Sequence, residues 1–149
     1  MSESFRGSVG RKVVSRASAQ ELGGINHLVV DGRGRHVASV VVGRGKKARF
    51  VDWAQVSGFG PDAVMVTDET SLRVPADDRE RAAAEGKLEL VGKRALSELG
   101  NELGLLDDVT FDANSGALEE LVIDDRRILA SSLLSTGSYA AVFDKSQEP

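Results

Sequence analysis

Seven cationic or titratable side chains fall within one short stretch: Arg33, Arg35 and His36, then Arg44, Lys46, Lys47 and Arg49. Guanidinium and ammonium groups at this density attract phosphate or carboxylate, whether on RNA, acidic lipid or an acidic protein, through a salt-sensitive field. The two groups flank the β-branched run Val37 to Val42. They should therefore project from opposite ends of one hairpin strand, and they form a partner-binding face if they share a side of it. Against that stands the ordinary use of charged loops, which is to keep a surface solvated. Nucleic-acid recognition would also need exposed aromatic rings for stacking. Only Phe50 and Trp53 lie near, and both occupy apolar positions where core packing is the expected use, with an interface role the alternative for Trp53.

Other chemistry is thin. Asp107, Asp108, Asp112, Asp124 and Asp125 could supply oxygen ligands to a hard cation, but no twelve-residue calcium loop is present, and carboxylates beside hairpins are expected to cap turns. His27 and His36 are the only histidines and lack partners at zinc-ligand spacing. Gly43-Arg44-Gly45-Lys46-Lys47 has no Ser or Thr after the lysine and no helix following, so it does not read as a phosphate loop; no Gly-x-Ser-x-Gly elbow occurs. The absence of cysteine excludes disulfides, thiolate metal sites and a cysteine nucleophile. The expectation is a protein that is not an enzyme, with no catalytic residue, no metal and no cofactor.

The elements that must position the basic residues come from an internal repeat. Leu22-Gly23, Leu28, Val30-Asp31, Val37, Val40 and Val42 return 81 positions later as Leu103-Gly104, Val109, Phe111-Asp112, Leu118, Leu121 and Ile123. Further on, an offset of 78 sets Phe50 against Ile128, Val56-Ser57 against Leu134-Ser135, and Ala63-Val64 against Ala141-Val142. At that offset Trp53 has Ser131 in its place. Short β-rich runs between glycine turns, such as Ile25 to Asp31 and Val37 to Val42 around Gly32-Arg33-Gly34-Arg35, predict hairpins of a small barrel rather than a parallel α/β sheet. A second hairpin is predicted from Asp108 to Asp112 and Leu118 to Ile123 around Asn114-Ser115-Gly116.

Outside the repeat, Met1 to Ser8 reads as a mobile polar lead-in, and Ser18 to Gly24 as a turn or helical turn. Asp77 with Glu80 three residues on resembles a capping box, which with the alanines before Gly86 predicts a short, mostly exposed linker helix over Asp77 to Glu85. Leu96, Leu99, Leu103 and Leu106 have helical spacing, but Gly100 and Gly104 interrupt it. The expected units are 9–67 and 88–144, with 68–87 as linker. Each unit is so small that independent folding would be marginal, so the two should pack together.

The 149 residues, 41% hydrophobic and 28% charged, are ordinary for a globular protein, and the net charge of −4 hides a polarity. Through Gly60 there are ten Lys/Arg against four Asp/Glu, and beyond it nine against nineteen. Such asymmetry points to an electrostatic partner or to self-association of basic copy one with acidic copy two. No window approaches the roughly 18 apolar residues of a membrane span, and Met1 to Gly10 has no signal-peptide run. The expectation is a soluble, cytoplasmic protein.

The pattern Gly92-Lys93-Arg94-Ala95-Leu96, Leu103-Gly104-Leu105-Leu106-Asp107-Asp108-Val109-Thr110-Phe111-Asp112, then Leu121-Val122-Ile123, resembles the PRC-barrel family. Copy one has the same form from Gly10 through Leu22-Gly23-Gly24-Ile25 to Asp31 and Val40 to Val42, with His27 departing where copy two has Asp108. The resemblance, to a family that includes the cytoplasmic domain of the photosynthetic reaction-centre H subunit and a ribosome maturation factor's C-terminal domain, implies a mainly β protein. It would be two tandem small antiparallel β-barrels joined by a short helical linker. It also implies a non-enzymatic adaptor that docks on a protein or a membrane-associated complex, with a ribosome- or RNA-associated factor as the alternative.

Overall fold

Ile25 to Val30 and Val40 to Val42 carry apolar side chains on both faces of their strands, so a sheet built from them needs cover on two sides, whereas Leu118 to Ile123 has Glu119 and Glu120 among its apolar residues. The computed structural model describes every residue except Gly34, so one position of the turn expected at Gly32 to Arg35 lies outside the described residues. Its elements are β1 (Ser2–Ser4), α1 (Phe5–Ser8), β2 (Lys12–Ser15), β3 (Glu21–Val30), β4 (Val37–Val42), β5 (Arg49–Asp52), β6 (Val56–Phe59) and β7 (Val64–Val66). After α2 (Asp78–Ala84) come β8 (Arg94–Ser97), β9 (Glu102–Asp112), β10 (Leu118–Ile123), β11 (Arg126–Leu129), β12 (Leu133–Thr136) and β13 (Ala140–Phe143).

The protein is mainly β, with two sheets forming tandem barrel-like domains. One sheet runs β5-β4-β3-β2-β7-β6 and the other β11-β10-β9-β8-β13-β12, the same path in both copies, with β1 added beside β9. Neighbours are antiparallel save for one parallel pair in each copy, β2 with β7 and β8 with β13. The repeated Leu-Gly has a physical cause. Gly23 and Gly104 lie in strands at φ of +134° and +133°. A Cβ would stand 2.9 Å from Val42 Cγ1 in one copy and 2.7 Å from Asp124 Oδ2 in the other. Only glycine permits both the backbone angle and the approach.

The ladders correct the later part of the repeat. Val40 pairs with Val51 as Leu121 pairs with Ile128, and Val13 pairs with Val64 as Ala95 pairs with Ala141, so the offset past β4 is 77, not 78. The missing residues all come from one place: the loop Gly43 to Ala48 in copy one answers to the turn Asp124-Asp125 in copy two. Matching Phe50 to Ile128 by apolar character slipped the strand by one residue, which exchanges its two faces. Phe50 faces outward beneath α2, and its true counterpart is the exposed Arg127.

Other expectations change for similar reasons. Met1 to Ser8 is not a mobile lead-in: β1 pairs with β9, and Phe5 of α1 is buried against Phe111 with ring centroids 5.6 Å apart. The turn expected over Ser18 to Gly24 gives way to β3, whose Gly23 pairs with Val13. The leucines at helical spacing are strand residues of β8 and β9 or lie between them. The linker helix forms with Asp77 as N-cap, its side chain accepting from Glu80 N at 2.8 Å, and the chain turns at Gly86 with φ of +85°. It is a cover more than a connector. Ala83 is buried with Val29, Val41, Ala48 and Phe50, and Ala84 and Leu88 pack beside them, closing the outer face of copy one.

One larger core runs through both copies, from Val13, Leu28 and Val40 to Phe111, Leu121 and Phe143. The copies also share backbone bonds. Val37 N donates to Gly116 O at 2.8 Å and Leu118 N donates to Arg35 O at 2.9 Å, joining the two hairpin tips. Trp53 sits half-buried over Gly116, so the sole tryptophan is part of this joint and not only of one copy's core. Across the joint Trp53 and Phe59 also meet Phe111 ring to ring. Among the described residues no ion pair links the cations of copy one to the carboxylates of copy two.

A salt-bridge centre holds α2 down. Arg73 donates to both Glu80 oxygens at 2.7 and 2.6 Å and to both Asp52 oxygens at 3.1 and 2.8 Å, while its guanidinium lies 5.4 Å from the Phe50 ring centroid. The Arg73 hydrogen bonds depress the Glu80 carboxyl from its ordinary 4.5 to about 2, and those carboxylates raise Arg73 further. Because the folded value lies below the unfolded one, this stabilisation is whole above pH 4.5 and is lost as the pH falls toward 2. The pair is partly solvated, so the contribution is on the order of 1 kcal/mol. Urea unfolding stepped from pH 5 down to 2 should show a shallower loss for Glu80→Gln than for the wild type; equal slopes would refute the assignment.

Candidate functional site: a cationic groove at one end of β4

The seven cationic candidates do divide between the two ends of β4, and the ends differ. Arg33, Arg35 and His36 are exposed at the joint between the copies. Here His36 forms a bridge with Ala117, Arg35 N donates to Asp31 Oδ1 at 2.8 Å, and His36 Nδ1 stands 3.9 Å from Asp31 Oδ2. Arg44, Lys46 and Lys47 are exposed at the far end, where Gly43 with φ of +80° turns the chain into a 3-10 turn over Gly45–Lys47. Arg49 is half-buried and donates from Nη1 to Lys46 O at 3.1 Å and to Ala48 O at 2.9 Å, bracing the loop. The geometry thus separates Arg33, Arg35 and His36 from Arg44, Lys46, Lys47 and Arg49 by the length of β4, about 20 Å.

The far loop stands beside α2, and between them lies an open groove of about 550 Å³. Lys46, Arg49 and Arg81 are its lining cations, Arg81 being paired with Asp78 at 2.5 Å, and Val74, Pro75 and Ala84 are apolar residues of its wall. The single lining carboxylate, Glu85, pairs with Lys87 at 2.9 Å. Neither Arg44, Lys46 nor Lys47 has an ion-pair partner among the described residues. The wall residues and Arg81 were missed from the sequence, where α2 read as an exposed linker. The signal was there in the doubly apolar strands β3 and β4, which required a cover, and in the alanines of α2, which could supply it.

Two devices place α2 against the loop. One is the Arg73 centre. The other is His27, 3% exposed, whose Nε2 lies 2.7 Å from Ala83 O and whose Nδ1 lies 2.7 Å from Asn26 Oδ1. With Nε2 as donor the ring ties β3 to the last turn of the helix. Asp108, its repeat counterpart, serves the other helix: its Oδ1 accepts from Arg6 N of α1 at 3.1 Å. The departure from the repeat at this position therefore follows which helix each copy must hold.

Of the acidic candidates, Asp112 caps a turn. Asp112 Oδ1 accepts from Asn114 N and Ser115 N at 2.8 and 2.9 Å, bonds that lower its pKa, and Asp108 Oδ1 also accepts from its neighbour Val109 N. Among the described residues no three acidic or imidazole groups converge as metal ligands. A second groove of about 460 Å³, beside Tyr139, has its cations engaged: Arg94 lies 5.5 Å over the Tyr139 ring and donates to its hydroxyl at 2.8 Å. Lys93 Nζ donates to Lys87 O and Ser138 O at 2.9 and 3.0 Å, and burial lowers its pKa.

Among the described residues no helix is long and apolar enough to cross a membrane. No curated protein matches the chain. Residues 7–73 match the model of the PRC-barrel domain. Domains of this family mediate protein interactions within larger complexes and are generally non-catalytic. The second copy rests on the internal repeat and on the shared strand path and register. Strand order, the glycine at the strand bend and the match over residues 7–73 together identify the first copy as a PRC-barrel domain.

Proposed function

We propose that the protein is a non-enzymatic, cytoplasmic adaptor whose two units, 9–67 and 88–144 with 68–87 between them, form one rigid body that docks on an acidic protein through the loop at Arg44, Lys46 and Lys47. The observation that carries the reading is the set of three exposed cations that have no ion-pair partner among the described residues, although copy two, in the same chain, is rich in carboxylates. Unneutralised charge of one sign steers association and selects partners of the other sign. Arg33, Arg35 and His36 are too far along β4 to share that contact.

The test is parallel capture from native extract at low salt with the wild type and with Arg44→Glu, Lys46→Glu, Lys47→Glu combined. Retention of the principal acidic partner should fall at least about tenfold; unchanged retention of every captured protein would remove the loop from the function. Docking on a second copy is separated by sedimentation, where it predicts a mass that rises with concentration and falls with salt.

An RNA- or ribosome-associated role draws on the same cations. It is weaker because Phe50 lies under α2 and Trp53 lies over Gly116, leaving neither ring to stack on bases. A steep salt-dependent affinity for RNA would revive it.

A further inference from the structure

Resting on that docking reading, we infer that the groove between the far loop and α2 selects a particular kind of acidic segment: one that places an apolar side chain between carboxylates. The rim and the wall make different demands. Lys46, Arg49 and Arg81 line the groove; Arg81 is already paired with Asp78, Arg49's Nη1 is committed to backbone oxygens, which fixes its guanidinium in place, and Lys46 is the lining cation with no ion-pair partner among the described residues. Inside, Val74, Pro75 and Ala84 present carbon, and Val74 is 59% exposed. A purely acidic strand would neutralise the rim and leave that wall wet. A purely apolar segment would cover the wall and leave the cations facing it. A carboxylate-flanked apolar residue satisfies both. The volume, about 550 Å³, lies within the range of ~300–1,000 Å³ usual for ligand sites.

The groove is preformed rather than induced. Its helical wall is tied down from beneath by His27 to Ala83 O and by Arg73 to Glu80, and its loop wall by Arg49, so the partner segment carries the ordering cost. Copy two lacks the parts that build this groove: the two-residue turn Asp124-Asp125 stands in place of the six-residue loop, and the exposed Arg127 in place of Phe50. The proposed selectivity is therefore assigned to copy one.

The experiment uses the full chain and two fluorescein-labelled peptides of glutamates, one with a central leucine and one with serine there, compared by fluorescence polarisation at low ionic strength. Burying one leucine should make the leucine peptide bind at least about tenfold more tightly. Val74→Glu, at an exposed position where folding is easily verified by circular dichroism, should bring the leucine peptide to the serine peptide's affinity. Arg33→Glu, at the other end of β4, should leave both within about twofold. Equal affinity of the two peptides for the wild type overturns the inference, as does tighter binding of a uridine oligonucleotide than of the leucine peptide. If the peptides bind equally and the triple charge reversal abolishes both, docking through the loop stands and only the apolar selection falls. If that reversal leaves captured partners in place, the docking reading itself has failed.

Discussion

Phe111→Ala is expected to lower the stability of the whole chain by about 3–5 kcal/mol, and to do so in one cooperative transition. Phe111 belongs to copy two and is fully buried. Its ring stands edge-on to three others: Phe5 at 5.6 Å, Phe59 at 5.3 Å and Trp53 at 6.1 Å. Two of these, Phe59 and Trp53, come from copy one, so the cavity left by truncation would open at the joint and weaken both copies. A unit of this size buries too little surface to be secure alone, which is the physical reason the two share one core. Trp53 is the only tryptophan, so its fluorescence reports the joint directly. Its midpoint in urea should coincide with that of circular dichroism and move with it in the variant. Two separate transitions, with the tryptophan signal left where it was, would show that the copies fold independently.

Much of this fold was legible because repetition doubles every weak signal. A single Leu-Gly means little, but Leu22-Gly23 and Leu103-Gly104 in register mark the same strand bend twice, and both glycines carry the same unusual φ. The hairpins β3–β4 and β9–β10 were readable from β-branched runs between turn residues for the same reason. The errors arose where apolar character was read without its face. Phe50 was matched to Ile128 because both are apolar, yet one belongs to the outer cluster and the other to the inner core. The N-terminal segment looked mobile because it is polar and contains glycine, yet β1 pairs with β9 and the Phe5 ring is buried against Phe111.

The site was half legible. The cations of the far loop were evident from composition and spacing. Their division from Arg33, Arg35 and His36 followed from the length of β4. What the sequence reading did not supply was the other wall. Arg81 and Ala84 are remote in sequence from Lys46 and reach it only because α2 folds back over the outer face of copy one. Val40-Val41-Val42 signalled a cover, since a strand apolar on both sides cannot face water, but its counterpart Leu121-Val122-Ile123 is equally apolar, so the sequence did not say which copy the helix would cover.

Gly116→Ala carries the second large effect, and its partner control makes it informative. Gly116 has φ of +78°, where an L side chain costs roughly 1–2 kcal/mol. A Cβ there would also stand 2.8 Å from Trp53 Cε2 and 2.9 Å from Nε1, inside a rigid ring that cannot rotate away as a flexible chain could. Nor can the backbone retreat, because Gly116 O accepts from Val37 N across the joint and Gly116 N donates to Asp112 O, both at 2.8 Å. Overpacking of this kind adds about 1–3 kcal/mol, for a total of about 2–5 kcal/mol. Gly100 shares the backbone angle, at φ of +90°, but has nothing within 4 Å of the same Cβ. Gly100→Ala should therefore report the backbone term alone. The difference between the two variants in urea unfolding isolates the wedge of Trp53 against copy two, and Trp53→Ala should erase most of it. Equal losses for Gly100→Ala and Gly116→Ala would mean that the indole yields freely and the joint is held by its backbone bonds instead.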